Sequence, residues 1–200
     1  MFVSDLHGKI ERYDSLFQII LNETPDVVFL GGDLLPNHFA LNSNMDEFVE
    51  DKIFSNIKKI MDEISKKIRF FIILGNDDPR VYENLFKDAD RKGLIDYVHN
   101  KTVSYGNRHV TGYSYVPPTP FQLKDWEKYD VSLHVEVGAI SPEEGVRTID
   151  VSKTKIRYST ITEDLEVLSK NAPVKETIFL FHSPPYNSYL DRAALDGKMV

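Results

Sequence analysis

Phe2-Val3-Ser4-Asp5-Leu6-His7-Gly8 places two metal-capable side chains at the end of a short apolar run. If Met1 to Ser4 is a strand, side chains two apart leave on one face. A carboxylate and an imidazole can then close on one ion where the strand opens into a loop, with Gly8 allowing the turn. Alone, Asp-x-His is also the pattern of strand-end caps and surface hydrogen-bond partners. Its meaning depends on what the rest of the chain supplies.

Three further polar clusters each follow an apolar run. Val27 to Leu30 leads into Gly31-Gly32-Asp33, Phe70 to Leu74 into Gly75-Asn76-Asp77-Asp78, and Thr177 to Phe181 into His182-Ser183-Pro184-Pro185. In open α/β sheets the ligand lies beyond the carboxyl ends of the strands. Clusters repeated in that position are therefore expected to converge on one pocket.

The order Asp-x-His, Gly-Gly-Asp, Gly-Asn-x-Asp and a late strand-end His resembles the calcineurin-like metallophosphoesterase family, from Phe2 to about Asn187. The resemblance implies an α/β fold, a two-sheet β-sandwich flanked by helices in four α/β/β/α layers. It implies two divalent metal ions, of Mn, Fe, Zn or Mg, with Asp5 and His7 on the first, Asp33 bridging both, and Asn76 and His182 on the second. The implied reaction is hydrolysis of a phosphomonoester or phosphodiester by a metal-activated water. Asn76 and Asp77 would stand at the reacting phosphoryl group, with Asp78 supporting from behind.

Two departures stand out. The family writes Gly-Asn-His-Asp or Gly-Asn-His-Glu, and here Asp77 takes the His position. A carboxylate beside two cations is held ionised, so Asp77 is expected to be a poor acid at neutral pH. The family also closes its site with a later Gly-His-x-His segment, which does not occur before Val200. The expectation is that the closing strands lie beyond residue 200 and that residues 1–200 form one incomplete domain. The competing reading is a catalytically inactive scaffold on the same fold.

Composition narrows the field. At 200 residues and 42% hydrophobic the chain can bury a substantial core. A net charge of −7 gives no electrostatic footprint for stable nucleic-acid binding, although a metal site takes a small phosphorylated substrate even on an acidic protein. Cysteine is absent, which leaves oxygen and imidazole as ligands. No apolar run approaches the roughly 20 residues needed to span a bilayer, and the start lacks the pattern of a secretory signal. The expectation is a cytoplasmic protein with no membrane partner.

Along the chain, Tyr13, Leu16, Phe17, Ile20 and Leu21 form the stripe of an amphipathic helix. Val27 to Leu30 reads as a strand buried on both faces, and His38 in the following loop is a candidate for the pocket rim. A long helix is expected from Phe48 or Val49 to Ile68, then a strand over 69–74. Asp78-Pro79 looks like an N-cap with proline in the first helical position, opening a helix to about Asp90. Ile95–Val98, Thr102–Tyr105 and Arg108–Tyr115 are expected to form a second sheet, with a hairpin at Gly106-Asn107. Residues 121–158, which include Lys124-Asp125-Trp126-Glu127-Lys128, read as a long irregular lid or surface insertion. Thr160 to Glu163 is a capping box. Thr177–Phe181 is expected to return to the first sheet, and the residues from Tyr189 onward to be loop. His99, His109 and His134 lack partners at ligand spacing.

Overall fold

The computed structural model describes residues 1–36, 45–170, 172–191, 194–195 and 198–199. His38 lies outside them. The first sheet holds β1 (Phe2–Val3), β2 (Val27–Gly31), β3 (Arg69–Ile73) and β4 (Asp96–Tyr97) in that order, all parallel. The apolar run after Asp26 thus becomes β2 at the expected place, and the short β1 is an edge strand. Ile95–Val98, expected in the second sheet, instead supplies β4 to the first by pairing with β3.

The second sheet is β5 (Lys101–Tyr105), β6 (Arg108–Tyr113) and β7 (Thr177–Phe181), with β5 and β6 antiparallel around Gly106-Asn107 and β7 parallel to β6. β7 therefore does not return to the first sheet. Its register against β6 pairs Tyr113 with Phe181, so His182 reaches the site from the opposite layer.

The strand period separates two apolar layers. Phe70, Ile72 and Leu74 face the helices, whereas Phe71 and Ile73 meet Val98, Val110 and Leu180 between the sheets. Burying each such side chain is worth about 1.5–3 kcal/mol. On the helical side lie α1 (Ile10–Glu23), with Tyr13, Leu16, Phe17 and Ile20 buried, and a continuous helical stretch after it. That stretch is α2 (Met45–Phe48), a π-helical segment (Val49–Phe54) and α3 (Ser55–Glu63), burying Val49, Ile53, Phe54, Ile57 and Ile60. It ends earlier than the apolar spacing suggested: Ile64 is already extended (φ −97°, ψ 121°), and Ile68 enters the core just before β3.

After β3 the chain makes a 3-10 turn (Arg80–Tyr82) and then α4 (Glu83–Arg91). Asp78 does not cap it; its carboxylate is engaged elsewhere. Residues 121–158 contain isolated bridges and end in α5 (Lys153–Tyr158); Lys124, Asp125, Trp126 and Glu127 are almost completely buried, whereas most of 130–158 lies at the surface as an insertion would. α6 (Ile161–Lys170) opens on the capping box as expected, with Thr160 N donating to Glu163 Oε2 and Glu163 N to Thr160 Oγ1, both at 3.2 Å. The tail, expected to be loop, has a 3-10 turn (Tyr189–Asp191) and the antiparallel pair β8 (Ala194–Leu195) and β9 (Lys198–Met199).

Candidate metal centre

The loops after β1 and β2 are laced together by backbone. Asp5 N donates to Gly32 O (3.1 Å), His7 N to Asp33 O (2.8 Å) and Gly8 N to Leu34 O (2.9 Å). Ser4 Oγ donates to the Asp5 carboxylate and Arg12 to the Asp5 carbonyl. Asp5 (φ 59°), His7 (φ 49°) and Asp33 (φ 54°) all sit in the left-handed region. Each such placement of a non-glycine residue costs on the order of 1–3 kcal/mol. Strain on three neighbouring chemistry-bearing residues marks a site that the surrounding loops hold in place.

One ligand-capable atom each from Asp5, His7 and Asp33 lies within 4.8 Å of the others. His7 Nε2 is 3.7 Å from Asp5 Oδ1 and 3.9 Å from Asp33 Oδ2. The other oxygen of Asp33, Oδ1, faces the opposite way and stands 3.4 Å from His182 Nε2. Asn76 Oδ1 is 3.0 Å from that same Nε2. All five residues with a metal role implied by resemblance are thus brought together, with Asp33 in the middle.

The donor set fits divalent cations. His182 Nδ1 is 2.7 Å from the Gly31 carbonyl, which can only accept, so Nδ1 carries the proton given to it. Nε2 is left pointing at two oxygen acceptors, Asn76 Oδ1 and Asp33 Oδ1. Three electron-rich atoms converging on one spot require a positive charge among them. A proton on Nε2 meets that need: burial opposes the charge on His182, but contact with Asp33 and the Gly31 hydrogen bond outweigh it and push the pKa up to about 9. Burial likewise pushes the Asp33 pKa up, yet His182, the Asp77 N–H and His7 prevail and hold it below the ordinary carboxylate value. A metal ion ligated by these atoms would replace that proton.

Asp77 lies across the cluster, with Oδ2 3.7 Å from His7 Nδ1 and its N–H donating to Asp33 Oδ1 at 2.9 Å. Burial, then the nearby Asp33 charge, raises its pKa despite His7 and His182. Asp78 is fully buried and faces away from the cluster. It accepts from Leu35 N (2.7 Å) and Gly75 N (2.8 Å), so one carboxylate ties the loop after β2 to the loop after β3. Burial, with the Asp33 charge next, raises its pKa to about 6.

Two glycines make the close approach possible. A Cβ on Gly75 would lie 2.3 Å from Asp33 Oδ1 and 2.6 Å from His182 Cε1. One on Gly32, at φ +99°, would lie 2.7 Å from His182 Nδ1. The resulting cavity, about 370 Å³, is lined by the site residues together with Phe2, Phe121 and Phe181. Phe2 and Phe181 belong to the apolar runs that precede Asp5 and His182, and Phe121 opens the segment read as a lid or insertion, but the sequence carries no sign that their rings line the cavity. His99, His109 and His134 do not line the cavity.

The family model for calcineurin-like phosphoesterases matches residues 1–197. The chain belongs to that family. No curated protein matches it. Among solved structures, the crystal structure of TT1561 from Thermus thermophilus is similar with a TM-score of 0.52 at 18% identity, over 95% of this chain and 69% of that one. A second crystal structure gives a TM-score of 0.53 at 14% identity, over 99% of this chain and 74% of its own. At such identities the likeness speaks to the fold, and the two sheets flanked by helices agree with it. The family places this calcineurin-like phosphoesterase among hydrolases with metal centres, and Asp5, His7 and Asp33 form a candidate group for one. Among the described residues, no helix is long and apolar enough to cross a membrane.

Proposed function

We propose that the chain is a metal-dependent hydrolase of a small phosphomonoester or phosphodiester, working in the cytoplasm with two divalent ions drawn from Mn, Fe, Zn or Mg. The observation that carries this reading is the division of the Asp33 carboxylate, one oxygen toward His7 and the other toward His182. A shared carboxylate is what a two-ion site needs, and no nucleophilic side chain is required. When bound, such a pair supplies Lewis acidity toward phosphoryl oxygens and lowers the pKa of a water.

The chain's own residues do the rest. Asp5 and His7 hold one side, Asn76 and His182 the other. The Gly31 carbonyl fixes the His182 tautomer, orienting Nε2 for ligation. Asn76 adds a neutral oxygen, which limits the anionic charge facing a phosphate. Asp77, beside His7, has a raised pKa without metal, but beside two bound cations it would be held ionised, so it restricts the chemistry instead of donating a proton and esters with good leaving groups are favoured.

Elemental analysis after reconstitution, paired with an assay on aryl phosphate mono- and diesters, tests this. About two equivalents of metal with metal-dependent hydrolysis is expected. No bound metal and no turnover would refute it.

A further inference from the structure

Lys124-Asp125-Trp126-Glu127-Lys128 carries four charges and one indole in a segment with little regular structure, yet it is buried throughout, with Lys124, Asp125 and Trp126 at 0% exposure. Such burial is tolerable only if each polar group is matched. Lys124 Nζ meets Glu127 Oε2 at 2.6 Å, Glu127 accepts from Thr119 N (2.9 Å), and Lys128 pairs with Asp164. These contacts match the outer three charges of the segment and tie it to Thr119 and α6.

The remaining two residues point toward the metal loops. Trp126 Nε1 donates to the Asp78 carbonyl at 2.8 Å, and Asp125 Oδ2 accepts from Arg80 N at 2.8 Å while Oδ1 accepts from Thr148 N at 2.9 Å. The Arg80 guanidinium lies 4.8 Å over the Trp126 ring. The backbone on both sides of Pro79 is therefore clamped immediately after Gly75-Asn76-Asp77-Asp78. From Asp78 the linkage continues through its carboxylate to Gly75 N and Leu35 N, and so to the loops that carry Asn76 and Asp33.

We infer that Trp126, assisted by Asp125, is a positioning residue for the Asn76–His182 half of the metal centre, holding the Asn76-Asp77 loop against Asp33 through Asp78. This rests on the two-ion reading above. A side chain buried only for packing would stabilise the domain without favouring either half of the site. Trp126 should instead act chiefly on the Asn76 side, because its hydrogen bond ends two residues from Asn76, whereas it reaches Asp5 and His7 only through the Asp78–Leu35 bond and then the backbone bonds between the β2 and β1 loops.

Trp126→Phe keeps a buried ring and removes the N–H. Zn²⁺ titration by calorimetry is expected to show one site unchanged and the other weakened about 10- to 100-fold, the range for supporting partners of metal ligands. Leu168→Ala, a buried change on α6, serves as control and should leave both affinities within about twofold of wild type at a comparable loss of Tm. Equal weakening of both sites, no weakening, or the same pattern in the control would overturn the positioning role. Asp125→Asn provides a second variant, expected to weaken the same site. Trp126 is the sole tryptophan, so its emission should change with Zn²⁺ in wild type and lose the part of that response due to the Asn76–His182 site in Asn76→Ala; identical responses would also overturn it. Wild-type protein that binds no Zn²⁺ and shows no hydrolysis would refute the two-ion reading itself, an outcome distinct from two intact sites insensitive to Trp126.

Discussion

Asp33 Oδ1 stands 3.4 Å from His182 Nε2, although Asp33 follows a strand of one sheet and His182 a strand of the other. The sandwich itself therefore closes the site: shifting one sheet against the other would part this pair before it disturbed either loop. In metal-free protein the pair is ionic, with the His182 pKa raised to about 9. Its stabilising effect is full below the unfolded histidine value of about 6.5 and is lost as pH rises through about 9. Asp33→Asn removes the anionic partner. The metal-free variant is expected to show a His182 pKa far below that of wild type by NMR titration, and a stability curve that no longer falls between pH 6.5 and 9.

Gly75→Ala tests the close approach directly. The added Cβ would meet Asp33 Oδ1 at 2.3 Å, closer than any real contact, so the Asp33–His182 arrangement must open. The cost expected from such overpacking is about 1–3 kcal/mol. The variant should fold with a lowered Tm and lose most metal binding, as read by elemental analysis.

Asp77→His restores a proton donor where Asp77 now stands beside His7. A gain on an alkyl phosphate ester, whose leaving oxygen needs a proton, should exceed any gain on an activated aryl ester. Equal gains in kcat/KM on both would contradict the restriction assigned to Asp77.

His99 gives the domain an acid limit unrelated to the metals. It accepts from Ser114 N at 3.0 Å within a cage of Tyr97, Tyr113, Tyr115 and Trp126. Burial, with the Arg80, Lys87 and Lys128 charges, lowers its pKa to about 3. The unfolded chain then binds a proton that the folded one refuses, so stability falls as pH drops from about 6.5 toward 3, by about 1.4 kcal/mol per unit. Denaturant melts across this window should show a shallower slope in His99→Gln.

Where sequence and structure agree, short-range chemistry decides the outcome. Gly-Gly before Asp33 and Gly before Asn76 announce backbones that must come close, and the capping box at Thr160 and Glu163 forms as read. Sheet membership is different. β4 and β7 have the composition of either sheet, and only the long-range pairing of Asp96 with Phe71 and of Phe181 with Tyr113 places them. Asp78 misleads for a related reason: Asp-Pro is a local capping pattern, but Leu35 N offers a partner across the fold and wins its carboxylate. The run at 124–128 carries the charge pattern of a solvated loop, and its burial depends on Asp164 and Thr148 being delivered by distant chain.

The shared role of Asp33 is open to one decisive measurement, anomalous scattering from crystals soaked in Mn²⁺. The expected result is two peaks on either side of the Asp33 carboxylate, one bonded to Asp5 and His7 and the other to Asn76 and His182. A single peak, or peaks that leave Asp33 outside bonding reach, would contradict the account.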